Sequence, residues 1–475
     1  MSFRNKNPGE PLSESFLENR LTLRRRLGVG DSFDVIEREL VVAGGSVAFF
    51  YIDGFVKDGE MQRVMQAFLA MKELSSAESA EGRLPYVEVA KCTDLDDVIC
   101  AVLSGQTAVI GEGFGGVALL IDARTYPARE PSEPDSDRVM QGARDGFVET
   151  LVVNTALIRR RIRDERLTME HFNLGGISKT DVVVCYMRGE CDEGALDNIR
   201  SRLRSIRPRS LTLGFQSLSE CLIGRGWLNP FPKIRSTERP DTAAAQLAEG
   251  SILVICDNSP QVMILPTSIF SYLEQTDDFY FPPLTGTYLR IIRTLILLLS
   301  VVITPLWYLA LEYGEALPQS LLFLIPDEPG ALPIILQLFL AEAAIDGLKI
   351  ASMNTPDTLS SSLSIIGALI LGDFAVGVGW LCEDVILYMA FVAIANFAQQ
   401  NHELGYAFKF MRMLILALVF LFGWVGFFVG IGILLALIVT NRTVNGKRHY
   451  LYPVLPFNKK ALSRLLIRHK KKERD

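Results

Sequence analysis

Long apolar stretches dominate the last third of the chain. Few charged residues interrupt residues 294–311, 359–382, 385–401 and 413–441. A helix needs about 20 apolar residues to cross the roughly 30 Å of hydrocarbon in a bilayer. The pattern therefore predicts an all-α, polytopic membrane domain over residues 289–441. Its four crossings are expected at about 289–311, 359–382, 385–401 and 413–441.

Charge divides the chain at similar places. Residues 1–288 hold 32 basic and 41 acidic side chains, residues 289–441 hold 5 and 11, and residues 442–475 hold 11 and 2. The basic tail over 442–475 is expected in the cytosol by the positive-inside rule, and the acidic loop 312–329 is expected outside. We place the N-terminus in the cytosol as well, so the number of crossings must be even.

A fifth apolar segment, residues 331–351, complicates this topology. It carries Glu342, Asp346 and Lys349 at positions i, i+4 and i+7, which lie on one face of a helix. Because an even number of crossings is required, we interpret the segment as a re-entrant or interfacial helix. A second interpretation makes 413–441 a hairpin broken near Gly423–Gly426. It ranks lower because each half is short for a crossing.

The first 288 residues alternate apolar runs with amphipathic helices, a pattern that is typical of α/β units. Tyr51–Gly59 aligns with Tyr186–Gly194, and each run leaves a predicted strand and enters a predicted helix. We expect two similar α/β subdomains in the cytosol, at 28–140 and 141–288, after a flexible N-terminal lead over residues 1–27. The predicted strands are Val47–Ile52, Thr107–Ile110, Val117–Ile121, Asp181–Met187, Ile252–Cys256 and Val262–Leu265.

One acidic residue stands where lipid would penalise it. Asp373 interrupts the stretch 359–382, and a carboxylate at mid-membrane costs roughly 2.5–3.5 kcal/mol on insertion scales. It is therefore expected to face a protein interior or a water-filled path. A pore or relay role and a plain pairing inside the protein both remain open, with Asn396 as a candidate partner. Glu342 and Asp346 either line the same ion path or form the water-exposed polar face of an interfacial helix.

Enzyme, metal and cofactor chemistry find little support. The seven cysteines form no C-x-x-C pair and the four histidines have no metal-ligand spacing, so no metal site and no cofactor are predicted. Gly111–Gly116 matches a dinucleotide-binding fingerprint, but a predicted strand follows it, which favours a hairpin turn. The arginine groups at 159–166 and 200–209 are interpreted as solvated helix faces or as contacts with anionic lipids. Nucleic acid is not an expected partner, because the domain is net acidic.

Several short stretches together resemble one family. They are Leu157–Arg163, Thr237–Asp241, Leu247–Gly250, Asn258–Pro260 and Tyr450–Phe457. On these residues the chain, from about residue 20 to 465, resembles the A subunits of bacterial spore germinant receptors, the GerA family. The resemblance implies a cytosolic two-part α/β domain joined to a membrane bundle in the spore inner membrane. It also implies a homo-oligomer, a pentamer in the family, around an ion-conducting pore, with another integral membrane protein as partner. Asp373 departs from the receptor pattern, which commonly has an amide there.

Two functions remain open on these grounds. The first is a cation-conducting channel subunit that acts in spore germination, with Asp373, Glu342 and Asp346 along the ion path. The second is a non-conducting scaffold or signal-relay subunit that couples germinant sensing to release of ions or dipicolinate. A carrier for an organic acid would need basic residues at mid-membrane, where Lys349 alone is weak support.

Overall fold

The structure is a computed structural model of the chain, and it forms two compact units. The first unit comprises Met1–Gly224 with Ile234–Thr267, and the second comprises Arg225–Lys233 with Ser268–Asp475. The structure describes residues 10–56, 58–74, 76–84, 88–124, 142–223, 229–354, 375–399, 401–441, 443–444, 450–459 and 462–463. Asp373, most of the predicted crossing 359–382 and most of the basic tail lie outside these ranges.

The first unit contains two five-stranded antiparallel sheets. The strands of the first sheet run in the order β1-β2-β4-β5-β3, and those of the second in the order β6-β7-β9-β10-β8. The first five strands are β1 (Val35–Val42), β2 (Gly45–Ile52), β3 (Val89–Cys92), β4 (Thr107–Gly111) and β5 (Ala118–Ile121). The other five are β6 (Leu167–Leu174), β7 (Thr180–Met187), β8 (Arg235–Thr237), β9 (Ile252–Cys256) and β10 (Val262–Leu265). The matching strand orders confirm the prediction of two similar subdomains and add that both sheets are antiparallel.

Helices cover these sheets and explain why their central strands are apolar throughout. Along β2, Ala48 and Phe50 enter one hydrophobic core while Val47 and Phe49 enter another, so both faces of the sheet are buried. A strand buried on both faces appears as a continuous apolar run rather than an alternating one. The helices are α1 (Phe16–Leu27), α2 (Asp58–Leu69), α3 (Ala77–Glu81), α4 (Leu95–Leu103), α5 (Leu151–Arg161), α6 (Glu193–Ser205), α7 (Phe215–Ile223) and α8 (Pro240–Ala248).

The aligned glycines of the internal repeat share an uncommon backbone conformation. Gly54 follows β2 with φ 80° and Gly189 follows β7 with φ 81°. Gly105 and Gly250 stand at corresponding places in the two sheets, just before β4 and β9, and have φ 97° and φ 88°. Positive φ strains a residue that has a Cβ, so both copies need glycine at these turns. The turn at Gly111–Gly116 joins the antiparallel strands β4 and β5, which confirms the predicted hairpin.

The N-terminal lead is not flexible over its second half, and that prediction is wrong there. Ser15 caps α1 by accepting a hydrogen bond from the amide of Glu18, and Gly28 ends the helix with φ 70°. Leu23 and Leu27 are buried in the core of the first sheet. The polar composition of residues 16–27 concealed this narrow apolar stripe.

The second unit is helical. In the part of this unit that the structure describes, the α-helices of four or more residues are α9 (Asp277–Tyr280), α10 (Pro283–Glu312), α11 (Ile334–Met353), α12 (Glu383–Phe397) and α13 (His402–Thr440). By length and composition α10 and α13 can each cross a membrane, whereas α12, with 15 residues, spans only about 22 Å. The side chain of Gln337 on α11 bonds the carbonyls of Pro329 and Leu332 and accepts from the amide of Cys382, just before α12.

Helix α13 is a hairpin of two antiparallel arms. Gly423 has non-helical angles, φ 54° and ψ −131°, between residues 402–422 and 424–440. A Cβ placed on Gly430 would lie 2.8 Å from Cγ1 of Ile415, so the second arm packs on the first. The prediction of one continuous crossing over 413–441 is therefore wrong, and the lower-ranked hairpin is what the structure shows. The first arm begins at His402 and measures about 31 Å, so it is longer than the apolar run alone suggested.

Candidate functional site

A cluster of ionised side chains lies between α11 and α13 inside the apolar unit. Helix α11 contributes Glu342 and Asp346, one turn apart, and α13 contributes Lys409 and Arg412, also one turn apart. Residues three or four positions apart share a helix face, so two such pairs of opposite charge can meet across one helix contact. We call these four residues the ionic cluster.

Arg412 holds the buried end of the ionic cluster. Its Nη2 donates to both carboxylate oxygens of Glu342, at 2.7 and 2.9 Å, and its Nη1 donates to the carbonyl of Ser300 on α10 at 3.2 Å. Arg412 is 2% exposed and Glu342 is 4% exposed. Arginine suits this position because its planar guanidinium forms several hydrogen bonds in fixed directions.

Lys409 links the two carboxylates. Its Nζ lies 3.0 Å from Oε1 of Glu342 and also forms a short ion pair with Asp346. The Asp346 side chain is 37% exposed, so the ionic cluster runs from a buried end at Arg412 to a partly open end at Asp346. With two acids and two bases it is neutral as a whole. Removing one partner of a buried ion pair typically costs about 3–5 kcal/mol, because the other charge is left uncompensated.

A small cavity adjoins the open end of the ionic cluster. Its volume is about 20 Å³, and its polar lining is Asp346, Lys349, Asn396, His402, Tyr406 and Lys409. The Nζ of Lys349 lies 4.7 Å from the ring centroid of Tyr406, a cation–π distance. We call this space the α11–α13 cavity.

The structure thus brings together three of the four predicted site residues. Glu342 and Asp346 share the ionic cluster, and Asn396 on α12 shares the α11–α13 cavity with Asp346. Asp373 lies outside the described residues. Sequence reasoning missed Lys409 and Arg412 because they precede the apolar run 413–441 and looked like its polar edge. The sequence did hold a signal. Lys409 and Arg412 are three positions apart and Glu342 and Asp346 are four apart, so each pair lies on one face of its helix and the two faces carry opposite charges.

The two arginines near the start of α10 pair with acidic side chains of the segment that precedes the helix. Arg293 donates to both oxygens of Asp278 on α9, at 3.1 and 3.0 Å, and Arg290 lies 3.4 Å from Glu274. Asp278 is completely buried. These ion pairs fix the first turns of α10 against the segment that precedes it.

The arginine group at 159–166 contains a buried connection between the two sheets. Arg159 on α5 donates to both oxygens of Asp34, at 2.8 and 3.1 Å, and to the carbonyl of Leu167 at 3.0 Å. Arg159 is fully buried and Asp34 is 1% exposed. The interpretation of this group as a solvated or lipid-facing helix end is therefore wrong for Arg159.

Arg200, from the second arginine group, lines an open cleft of about 720 Å³ in the first unit. Its Nε donates to Glu170 at 2.9 Å and its Nη2 donates to the Tyr186 hydroxyl at 2.9 Å. Burial, with the hydrogen bond to Glu170, raises the pKa of Tyr186 to about 12. Three arginines and three acids line the cleft, so their charges balance.

In the parts of the chain that the structure describes, no group of three or more histidine, cysteine, aspartate or glutamate side chains could hold a metal ion.

The domain of two sheets is followed along the chain by a helical unit with two helices that are long and apolar enough to cross a membrane, which indicates a membrane-associated protein. Comparison with known proteins identifies the family. Residues 22–475 match the family described as Bacillus/Clostridium GerA spore germination protein, and the chain belongs to that family.

Two individual relatives agree with this assignment. The chain is 36% identical over 456 residues to stage V sporulation protein AF of Bacillus subtilis (strain 168), which covers 95% of this chain and 92% of the relative. It is 28% identical over 452 residues to spore germination protein KA of the same organism, covering 93% and 82%. The N-terminal domain of the A subunit of the Bacillus megaterium spore germinant receptor GerK3 matches with 23% identity and a TM-score of 0.40, over 55% of this chain and 98% of that one. At the level of the family, the names of the two relatives support a role in sporulation and germination rather than catalysis.

Proposed function

We propose that the protein acts in spore germination as a subunit of an oligomeric, cation-conducting channel in the spore inner membrane. Membership of the GerA family supports the biological setting. The observation that carries the channel role is the ionic cluster on helices of the apolar unit, because ionisable groups within membranes commonly mark ion pathways. Both termini lie in the cytosol in this proposal, and the partners are further copies of the chain, another integral membrane protein and anionic lipids.

The ionic cluster suggests how conduction is controlled. In the single chain Lys409 pairs with both Glu342 and Asp346, and Arg412 also pairs with Glu342, so neither carboxylate is free to attract a cation. Withdrawal of Lys409 would leave Glu342 paired with Arg412 and would release Asp346. A ring of released aspartates, one from each subunit, would raise the local cation concentration and favour cations over anions. Asp373 remains a second candidate for the ion path on the grounds of its sequence position.

A specific observation favours the alternative, a non-conducting scaffold or signal-relay subunit. The four charges of the ionic cluster balance within one chain and join α10, α11 and α13 by direct bonds. An arrangement of that kind can hold three helices in register without any ion passing between them. The same residues then transmit a change in one helix to the other two.

Ion flux through the purified full chain in liposomes separates the two functions. We expect potassium flux from the wild-type protein, and reduced cation selectivity after Asp346→Asn or Asp373→Asn. Asp197→Asn, at an exposed residue of the two-sheet unit, is the matched control and should conduct as the wild type does. Lack of potassium flux at any lipid composition or voltage, with folding verified by circular dichroism, would favour the scaffold. Unchanged selectivity in both variants would remove these carboxylates from the path.

A further inference from the structure

The α11–α13 cavity has a chemical character that neither a cation path nor a scaffold explains. Three helices supply its walls, and the polar groups that reach it include two ammonium groups, an imidazole and a carboxamide. Asp346 is the one carboxylate among the residues that line it in the described structure. The cavity is therefore richer in hydrogen-bond donors and positive charge than in acceptors.

Among the residues of the ionic cluster and the described charged residues that line the cavity, positive charges exceed negative charges by one. The four residues of the ionic cluster are neutral together, so Lys349 adds one positive charge beside them. Within the described ranges Lys349 forms no ion pair, and its contact is the face of the Tyr406 ring. Lys349 is partly buried among mostly polar side chains, and one bound anion would neutralise its charge.

The backbone adds to the positive potential. Helix α13 begins at His402, after Asn401, whose side chain accepts a hydrogen bond from the amide of Leu404 at 2.8 Å. His402 and Gly405, both in the first turn, line the cavity. The N-terminus of a long helix carries a partial positive charge and attracts anions.

The size of the cavity limits the ligand. About 20 Å³ is slightly more than the space that a single water molecule occupies by the same kind of measure. A halide ion fits, and so does one oxygen of a carboxylate whose remainder lies toward the open side. Asp346 does not prevent this, because Lys409 already pairs with it and Lys349 stays available.

We propose that the α11–α13 cavity is a binding site for a small monovalent anion, a halide or a carboxylate group, held by Lys349 with the amide of Asn396 and the N-terminus of α13. The site does not depend on whether the protein conducts cations. Lys409 contributes both to the ionic cluster and to the cavity, so an occupied site would compete with Asp346 for its ammonium group. Anion binding would thereby change the strength of the ion pair between Lys409 and Asp346.

Thermal unfolding of the full chain in nanodiscs, at constant ionic strength and pH, tests the site. Sodium chloride or sodium acetate replaces sodium methanesulfonate, whose tetrahedral sulfonate head is bulkier than a halide ion or a planar carboxylate and serves as the reference anion. We expect the unfolding midpoint to rise with anion concentration and to saturate, as ligand linkage requires. General screening depends on ionic strength alone and would show no difference between the salts.

Variants locate the effect. Lys349→Met should weaken the apparent affinity by about tenfold or more, because a charge-assisted hydrogen bond is lost. Asn396→Leu should weaken it less, and Lys349→Arg should retain it. Lys459→Met, at an exposed lysine of the same unit, is the control and should leave it unchanged.

The outcomes are distinct. A response to chloride alone assigns a halide site, a response to acetate alone assigns a carboxylate site, and a response to both supports the shared chemistry. If neither anion stabilises the wild type beyond methanesulfonate, or if Lys349→Met and Asn396→Leu both respond fully, the proposal is overturned. Either result can occur with or without potassium flux, so failure here is separable from failure of the channel role.

Discussion

Replacing Gly426 with alanine adds one methyl group where the two arms of α13 touch. A Cβ at this position would overlap the backbone oxygen of Leu418 and would lie 2.9 Å from the backbone nitrogen of Val419. Ordinary contacts of a Cβ begin at about 3.4 Å. Backbone atoms cannot rotate away as a side chain can, so the arms must separate.

The size of the effect follows from that separation. Inserting a methyl group into a well-packed interior costs about 1–3 kcal/mol. Here the arms also lose contact around Ile415 and Val419, both fully buried. We therefore expect a loss near the upper limit, about 3 kcal/mol, for Gly426→Ala. Gly430→Ala should cost less, because its added methyl group would lie 2.8 Å from Cγ1 and 3.2 Å from Cα of Ile415, a smaller overlap than at Gly426.

The measurement is unfolding of the full chain from a mild detergent by added SDS, followed by far-ultraviolet circular dichroism. Gly432→Ala is the matched control, since it lies in the same arm and has nothing within 4 Å of the added Cβ. It should match the wild type or gain up to about 1 kcal/mol from the better helix propensity of alanine. Equal stability of Gly426→Ala and Gly432→Ala would refute the packing of the two arms.

Three further predictions concern the two-sheet unit and are measured by urea unfolding of the full chain. Arg159→Met should destabilise this unit by roughly 3–5 kcal/mol, because it leaves the buried carboxylate of Asp34 without its counter-ion. The control Arg166→Met, at an exposed ion pair, should cost less than about 1 kcal/mol. Similar losses in the two variants would contradict the buried ion pair. Gly54→Ala should cost more than about 1 kcal/mol, because φ is 80° and the new Cβ would lie 3.0 Å from Val152. The control Gly59→Ala should be neutral, because its new Cβ has nothing within 4 Å. Burial raises the pKa of the Asp53 carboxyl above its usual range, so its contribution to stability is lost as the pH rises through the folded-state pKa. Asp53→Asn should therefore stabilise the protein at neutral pH, with a difference that shrinks toward about pH 4, and a pH-independent difference would exclude this linkage.

The strands that the sequence predicts are those buried on both faces. β9 and β10 occur at the predicted residues, and β2 and β7 begin only one or two residues earlier than expected. Their apolar runs carry the signal without help from tertiary contacts. β1 was not predicted, because Glu37, Arg38 and Glu39 stand at its centre. Glu37 is nevertheless largely buried, since Arg20 and Arg24 of α1 pair with it. Because these counter-ions belong to another element, the pattern of apolar and polar residues within β1 does not reveal them.

The candidate site shows the same limit. The spacing of Glu342 and Asp346 predicts that they share one helix face. Whether that face is exposed to water or paired depends on the side chains of the helix that packs against it. Lys409 and Arg412 come about 65 residues later in the chain, and only the packing of α13 on α11 reveals them as counter-ions. In the same way, the three arginines at 159–161 look equivalent in sequence, yet Arg159 is fully buried. Local patterns predict elements well, whereas charge pairing between elements needs the fold.

The hairpin at Gly423 bears on the biogenesis of the protein. Since the chain reverses there, His402 and Thr440 lie at the same end of the paired arms. The two arms can then enter the bilayer together as one loop, with the aromatic tip around Trp424 leading. If the arms insert in this way, the basic residues after 441 need not cross the bilayer. The conformation of Gly423 would then set which segments the insertion machinery carries across.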